Sequence, residues 1–162
     1  MKITWDDLRI DFDENTSDKL IADWKWLIGE NKTPVLVTSI GDIFLKDDKD
    51  KIYWLNVGEG TVAVAADNVG EFKEKLQDHE QVNHWFLVDL VAALKKAGLE
   101  LDKGEIYSYI KLPVLGGDYT VDNFEVTSME VHFSFAGQIH RQVKDLPDGT
   151  KINAIKFKPN HN

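Results

Sequence analysis

The sequence contains no cysteine, which excludes disulfide bridges and thiolate metal sites. A chain without cysteine suits a reducing compartment, and the first fifteen residues lack the apolar core of a signal peptide. We therefore expect a cytoplasmic protein. Nowhere do about 18 apolar residues run together, so the sequence predicts no membrane partner and no spanning helix.

Basic residues are also scarce. The chain has 19 lysines and arginines and 28 aspartates and glutamates, which gives a formal net charge of -9. Because nucleic-acid affinity depends on cationic side chains that neutralise phosphates, we expect no direct nucleic-acid partner. The imbalance is uneven: residues 112–139 have four acidic and no basic residues, whereas 140–158 have five basic and two acidic ones. An acidic surface serves solubility or steers the protein toward a basic partner, and both interpretations stay open here.

The length predicts one domain over residues 1–162, and the hydrophobic pattern predicts an α+β fold. We expect an antiparallel sheet of about five to six strands with helices packed against it. A helical turn opens near Thr4, and four strands are predicted between Thr33 and Ala66. The other predicted elements are helices over Asp18–Ile28, Val69–Leu76 and Gln81–Ala97, and strands over Glu105–Val114 and Thr150–Lys158.

The stretch from Pro113 to Thr150 has the most unusual composition. Val131, Phe135, Ile139 and Val143 recur every four residues, which favours a helix from Ser128 to Leu146 with Ser128 as its cap. Alternation within Glu125–Phe135 also fits a strand, and this alternative stays open.

Long motifs carry a resemblance to a known family. The strings GGDYTVDN and VHFSFAGQIHRQVKDLPDGTKI resemble the C-terminal domain of type VI secretion DNase-immunity proteins. The segments Ile40–Gly60 and His84–Tyr109 are similar to other parts of the same domain. The resemblance assigns residues 24–158 to a family-like core and residues 1–23 to an N-terminal extension. Several relatives carry a GAD-like domain before this one, and a function housed there does not transfer to this chain.

The resemblance implies an immunity protein that binds and neutralises a cognate antibacterial toxin, a secreted nuclease effector, and that is not an enzyme. The alternative is a general interaction or regulatory domain of the SMI1/KNR4-like type without a toxin partner. A third hypothesis is an enzyme that uses the region from His132 to Arg141. A buried histidine bonded to a backbone carbonyl is the structural alternative to that catalytic role.

Candidate partner-binding residues fall into three groups. The first is the acidic tip of a predicted hairpin, and the second is the acidic segment beside a glycine pair. The third consists of polar residues of the family-like motif. In this order they are Asp47, Asp48 and Asp50; Gly116, Gly117, Asp118, Asp122 and Glu125; and His132, Gln138, His140 and Arg141.

No catalytic, cofactor or metal site is predicted. The acidic turn at residues 46–51 lacks the ligand spacing and glycine of an EF-hand. His79, Glu80 and His84 lack a fourth ligand with metal-site spacing. Gly116 and Gly117 open no phosphate loop, because no lysine follows them.

Overall fold

The computed structural model describes residues 2–152 and 154–157. Seven helices and seven strands are found there. The helices are α1 (Trp5–Leu8), α2 (Ser17–Ile21), α3 (Lys25–Ile28), α4 (Val69–Lys75), α5 (His79–Phe86), α6 (Val88–Lys96) and α7 (Met129–Val143). The strands are β1 (Arg9–Ile10), β2 (Thr33–Thr38), β3 (Ile43–Lys46), β4 (Ile52–Asn56), β5 (Thr61–Ala66), β6 (Glu105–Tyr109) and β7 (Phe124–Ser128). Short 3₁₀ turns cover Glu14–Thr16, Ala22–Trp24, Pro113–Leu115 and Val121–Asn123.

Strands β1 to β5 form one antiparallel sheet in chain order, whereas β6 and β7 pair as a separate antiparallel hairpin. This confirms the α+β class and the four central strands. The fifth strand of the sheet is β1, which the sequence did not predict. The predicted strand over Thr150–Lys158 is wrong for residues 150–152 and 154–157, which have no strand pairing, and Asn153 and Lys158 lie outside the described residues.

The centre of the sheet is buried on both faces. Ile43, Phe44 and Leu45 follow one another in β3 and are all completely buried. Because successive side chains of a strand point to opposite faces, helices must cover both sides. On the Phe44 side, that ring packs 5.1 Å from Trp85 and 5.0 Å from Phe72, which α5 and α4 supply.

The N-terminal helices and α7 form another helical layer. Helix α2 contacts both β2 and α7, and the buried Leu8, Leu20 and Ile21 belong to the core. Residues 2–23 therefore contribute α1, β1 and α2 to the same fold. Trp24 is fully buried, and its indole N–H donates to the carbonyl oxygen of Phe133 at 2.9 Å.

Two predicted helices are interrupted. The helix expected over Asp18–Ile28 consists of α2, a 3₁₀ turn and α3, and it ends at Gly29 as predicted. The helix expected over Gln81–Ala97 is divided into α5 and α6 by Leu87, which has a left-handed φ of 50°. A non-glycine residue in that conformation costs about 1–2 kcal/mol, which the surrounding packing must offset.

Across residues 2–152 and 154–157, no helix combines the length and apolar character needed to cross a bilayer.

Candidate interaction site

Helix α7 organises the candidate site. The side chain of Ser128 accepts a hydrogen bond from the N–H of Val131, which is the predicted cap, while the preceding residues form β7. The helix is confirmed, although it ends at Val143, whereas the strand alternative over Glu125–Phe135 is wrong from Met129 onward because β7 ends at Ser128. The buried face of α7 differs from the predicted apolar stripe. It comprises Met129, His132, Phe133, Ser134, Ala136, Gly137 and His140.

The two histidines of α7 hold two turns of the sheet. His132 Nε2 lies 2.8 Å from the carbonyl oxygen of Gly41, and His140 Nε2 lies 2.7 Å from the carbonyl oxygen of Val57. A carbonyl oxygen only accepts, so each Nε2 carries the proton. His132 Nδ1 then accepts from the hydroxyl of Ser108 at 2.8 Å. This confirms the structural interpretation of both histidines, bonded to backbone carbonyls inside the protein.

Burial keeps both rings neutral. Each histidine is only 3% exposed. Burial lowers the pKa of His132 to about 4, although its bond to Gly41 works in the opposite direction. Burial likewise lowers the pKa of His140, against the opposing effects of Val57 and Glu59. Both side chains are almost completely buried, and each acts on its surroundings through the turn that it holds.

A buried carboxylate joins the same two turns. Asp42 is 4% exposed, and it accepts from the N–H of Val57 at 2.9 Å and from the indole N–H of Trp54 at 3.2 Å. Burial raises the pKa of Asp42 to about 7, because the two hydrogen bonds only partly compensate for lost solvation and Glu59 adds repulsion. Asp42 therefore ties the β2–β3 turn to the β4–β5 turn.

The turn over residues 57–60 presents one exposed carboxylate, that of Glu59. The hydroxyl of Tyr119 donates to Glu59 Oε1 at 2.6 Å, and the Tyr119 ring meets Tyr109 edge-on at 5.9 Å. Burial, followed by the bond to Glu59, raises the pKa of Tyr119, so this hydroxyl remains a donor at neutral pH. Glu59 is thus oriented by a tyrosine 60 positions away.

The glycine pair shapes the loop that carries Tyr119. Gly116 has a φ of 97°, and a β-carbon on Gly117 would lie 1.8 Å from the carbonyl oxygen of Lys111. Asn123 closes the loop, since its side-chain N–H groups donate to the carbonyl oxygens of Lys111 and Asp118. The glycines therefore shape this loop and place the exposed Asp118 beside Tyr119.

We define the acidic loop face as Glu59, Asp118 and Asp122, all of them exposed. Asp122 belongs to the same loop and accepts from the hydroxyl of Thr120 at 2.5 Å. Glu125 follows on β7, where it is exposed but lines a separate groove beside α7. Of the predicted acidic segment, Asp118 and Asp122 lie in the loop whose Tyr119 contacts Glu59.

The other predicted acidic patch lies at the opposite end of the sheet. This patch, Asp47, Asp48 and Asp50, lies in the β3–β4 turn, next to the paired residues Lys46 and Ile52. The turns at Gly41 and Gly60 lie at the other ends of β3 and β4. Asp47 accepts from the N–H groups of Lys49 and Lys51, each at 2.9 Å. Desolvation raises the pKa of Asp47, but these bonds and one from Tyr53 outweigh it, so the pKa is lowered.

Lysines offset the charge of this second turn. Asp50 lies 3.4 Å from Lys46 Nζ, and Lys32 Nζ sits 4.5 Å from the centre of the Tyr53 ring. Asp48 is exposed at the tip. The two predicted acidic patches therefore do not form one surface.

The remaining candidates lie on α7. Gln138 is half-buried and donates to the hydroxyl of Ser134 at 3.1 Å, while that hydroxyl donates to Asp23 at 2.6 Å. Arg141 is exposed near the C-terminal end of the helix. Within residues 2–152 and 154–157, no group of three histidine, aspartate or glutamate residues is placed to hold a metal ion.

The fold and this site define an α+β domain in which one long helix fixes two sheet turns from within and one of those turns displays an oriented carboxylate. Residues 66–140 match the family model described as T6SS immunity protein Tdi1, C-terminal. The match runs from the end of β5 through both histidines of α7. It confirms the resemblance seen in the sequence and supports an immunity role.

Structural comparison agrees on the fold. The crystal structure of Atu4351 from Agrobacterium tumefaciens is similar, with a TM-score of 0.51 and 20% sequence identity. The alignment covers 75% of this chain and 64% of that chain, so the chain spans less than two thirds of that protein. At this identity the likeness concerns the fold alone. No curated protein sequence matches the chain.

Proposed function

We propose that this chain is a cytoplasmic immunity protein that binds a cognate toxin, a secreted nuclease effector, and blocks it with the acidic loop face. The observation that carries the proposal is the family match over residues 66–140. A nuclease needs a basic cleft for phosphates, and carboxylates on a rigid turn complement such a cleft. The acidic loop face offers Glu59, Asp118 and Asp122 in this way.

The rigidity of the turn supports the proposal. Val57 is bonded through its N–H to Asp42 and through its carbonyl oxygen to His140, and Glu59 is held by Tyr119. A carboxylate oriented before encounter loses little side-chain entropy on binding. The turn at Asp47–Asp50 is a weaker candidate, because neighbouring lysines offset its charge and Asp47 already bonds its own backbone.

Intrinsic catalysis has less support. Ser108 and His132 are in contact, but both are buried, and the His132 Nε2 proton is committed to Gly41. A general base that works near neutral pH needs a pKa close to that pH, and the pKa of His132 is about 4. The pair is better suited to fixing the position of α7.

Charge reversal tests the proposal. We expect Glu59→Lys, Asp118→Lys and Asp122→Lys together to slow association with the cognate toxin about tenfold or more at low salt, because surface charges act on the encounter rate. The salt dependence of the rate should fall as well. Stopped-flow kinetics at two salt concentrations, with protection of cells that co-express the toxin, measures both effects.

A matched variant controls for net charge. Asp18→Lys, Glu30→Lys and Asp48→Lys change the same total charge on exposed residues at the other end of the sheet. This variant should retain protection and change the association rate by no more than about threefold. If both triple variants slow association equally, the acidic loop face is not the recognition surface. If the chain gives no protection against any toxin encoded beside it, the immunity role itself is wrong.

A further inference from the structure

An apolar groove runs between the β6–β7 hairpin and α7. Its volume is about 450 Å³, and Ser108 and His132 belong to its lining. Several apolar side chains remain in water along it: Ile110 is 59% exposed, and Val131 and Phe135 are each 45% exposed. Val131 and Phe135 belong to the apolar stripe that predicted α7, whereas Ile110 follows β6. The core-facing side of α7 carries His132 and His140, and Val131 and Phe135 line this groove.

The chain's own C-terminal segment occupies part of the groove. The Phe157 ring stacks on Phe135 with a centroid distance of 4.5 Å and an interplanar angle of 28°. Gln142 on α7 binds both backbone groups of Lys156: its Oε1 accepts from the N–H at 3.0 Å, and its Nε2 donates to the carbonyl oxygen. These contacts recognise an extended backbone and one aromatic ring.

The segment covers the groove incompletely and is held by few contacts. Phe157 itself stays 45% exposed, and Ile110 and Val131 keep the exposures given above. The connection over residues 144–151 is exposed throughout, and its backbone hydrogen bonds, from Leu146 to Val143 and from Thr150 to Pro147, are local. Another extended segment could therefore replace residues 154–157 without disturbing the core.

Charge favours a basic occupant. Glu125 lines the groove, and Glu130 is exposed next to Val131 on α7, although Lys111 also lines the groove. Residues 112–139 contain no lysine or arginine at all. The residues seated there are Lys156 and Phe157, and a second lysine follows them in the sequence. The Phe157 ring fits the apolar lining, and the positive charge of Lys156 is opposite to that of Glu125 and Glu130.

We propose that this groove is a docking site for an extended basic-aromatic segment of a partner protein, and that residues 154–157 occupy one end of it as an intramolecular stand-in. An aromatic anchor in an apolar groove and backbone bonds from a side-chain amide are the elements of such recognition. The inference does not depend on whether the partner is a toxin.

A peptide titration tests the groove. The probe is a fluorescently labelled peptide with the sequence of residues 151–158, added to the full chain and to its Phe157→Ala variant. Removing the Phe157 ring raises the fraction of protein with an open groove, so the variant should bind the peptide about fivefold or more tightly than the unaltered chain. Fluorescence anisotropy reports both affinities.

Two controls locate the binding. On the Phe157→Ala background, Phe135→Ala should abolish saturable binding, whereas Val64→Ala, at a 53% exposed position on β5, should leave it unchanged. No saturation at about 1 mM peptide, or binding that ignores Phe135→Ala, would overturn the docking site. If the unaltered chain and the Phe157→Ala variant bind the peptide with equal affinity, residues 154–157 do not occupy the groove in competition with it. A dimer of the unaltered chain that Phe157→Ala dissociates, measured by light scattering, would assign the groove to a second copy and overturn the proposal.

Discussion

Replacing Gly41 with alanine is expected to lower the free energy of unfolding by about 3–5 kcal/mol, out of a total of about 5–15 kcal/mol for a domain of this kind. Gly41 has a φ of 87°, and a β-carbon there would lie 2.3 Å from Nε2 of His132. The left-handed conformation costs alanine about 1–2 kcal/mol, and displacing a packed ring costs about 1–3 kcal/mol more. The buried bond from His132 to the Gly41 carbonyl would be lost as well.

Gly98 provides the matched control. Its φ of 90° is nearly the same, but a β-carbon there would meet no atom within 4 Å. Gly98→Ala should therefore cost only the conformational strain, about 1–2 kcal/mol. Urea unfolding of the two variants separates the backbone term from the contact with His132.

A second substitution identifies the contact. His132→Ala removes the ring that alanine at position 41 would strike, so the two substitutions together should cost clearly less than the sum of the single effects. The same pair of substitutions can be made at Gly60 and His140, because a β-carbon on Gly60 would lie 2.3 Å from Nδ1 of His140. If Gly41→Ala and Gly98→Ala destabilise the protein equally, the histidine does not hold the turn.

The elements that the sequence predicted well are those with local signals. Hairpin spacing predicted β2 to β5, and Ser128 and Gly29 marked helix ends because a cap depends on neighbouring residues. Leu87 shows the limit of such signals. Its left-handed conformation divides the predicted helix into α5 and α6, and leucine is not a residue that favours this conformation, so the local sequence does not indicate it.

The buried face of α7 could not be predicted for a comparable reason. The stripe with Val131 and Phe135 predicted a helix there but did not indicate which face of it is buried. The structure buries the stripe with His132 and His140, because each ring finds a backbone carbonyl in a distant turn. A polar residue is buried readily when its hydrogen bonds are satisfied, but the partner lies 83 or 91 positions away.

The sequence indicated only part of the candidate site, because contacts between distant residues leave no local signal. Asp118 and Asp122 were recognised from their place beside the glycine pair, and both belong to the acidic loop face. Glu59 was missed, although the G-E-G string around it is a visible turn signal. Its orientation depends on Tyr119, a contact across 60 positions that the sequence does not encode locally.

The last prediction concerns two buried groups with opposite pH dependence. The pKa of Asp42 is raised from 3.8 to about 7, so its contribution to stability is present below pH 4 and is lost as the pH rises to 7. The pKa of His132 is lowered from 6.5 to about 4, so its contribution is present above pH 6.5 and is lost as the pH falls to 4. Between about pH 4 and 6.5 the two effects oppose each other.

Single substitutions should therefore change the pH dependence of the free energy of unfolding in opposite directions. Relative to the unaltered chain, Asp42→Asn should make the free energy of unfolding rise more steeply with pH, and His132→Gln should make it fall, each by up to about 1.4 kcal/mol per pH unit. Asparagine keeps an acceptor for Val57, and glutamine keeps a donor for Gly41, so both variants should fold. Urea unfolding at half-unit steps from pH 4.5 to 7 measures the three curves, and other carboxylates cancel in the differences. Parallel curves for the three proteins would mean that neither group changes its affinity for protons on folding.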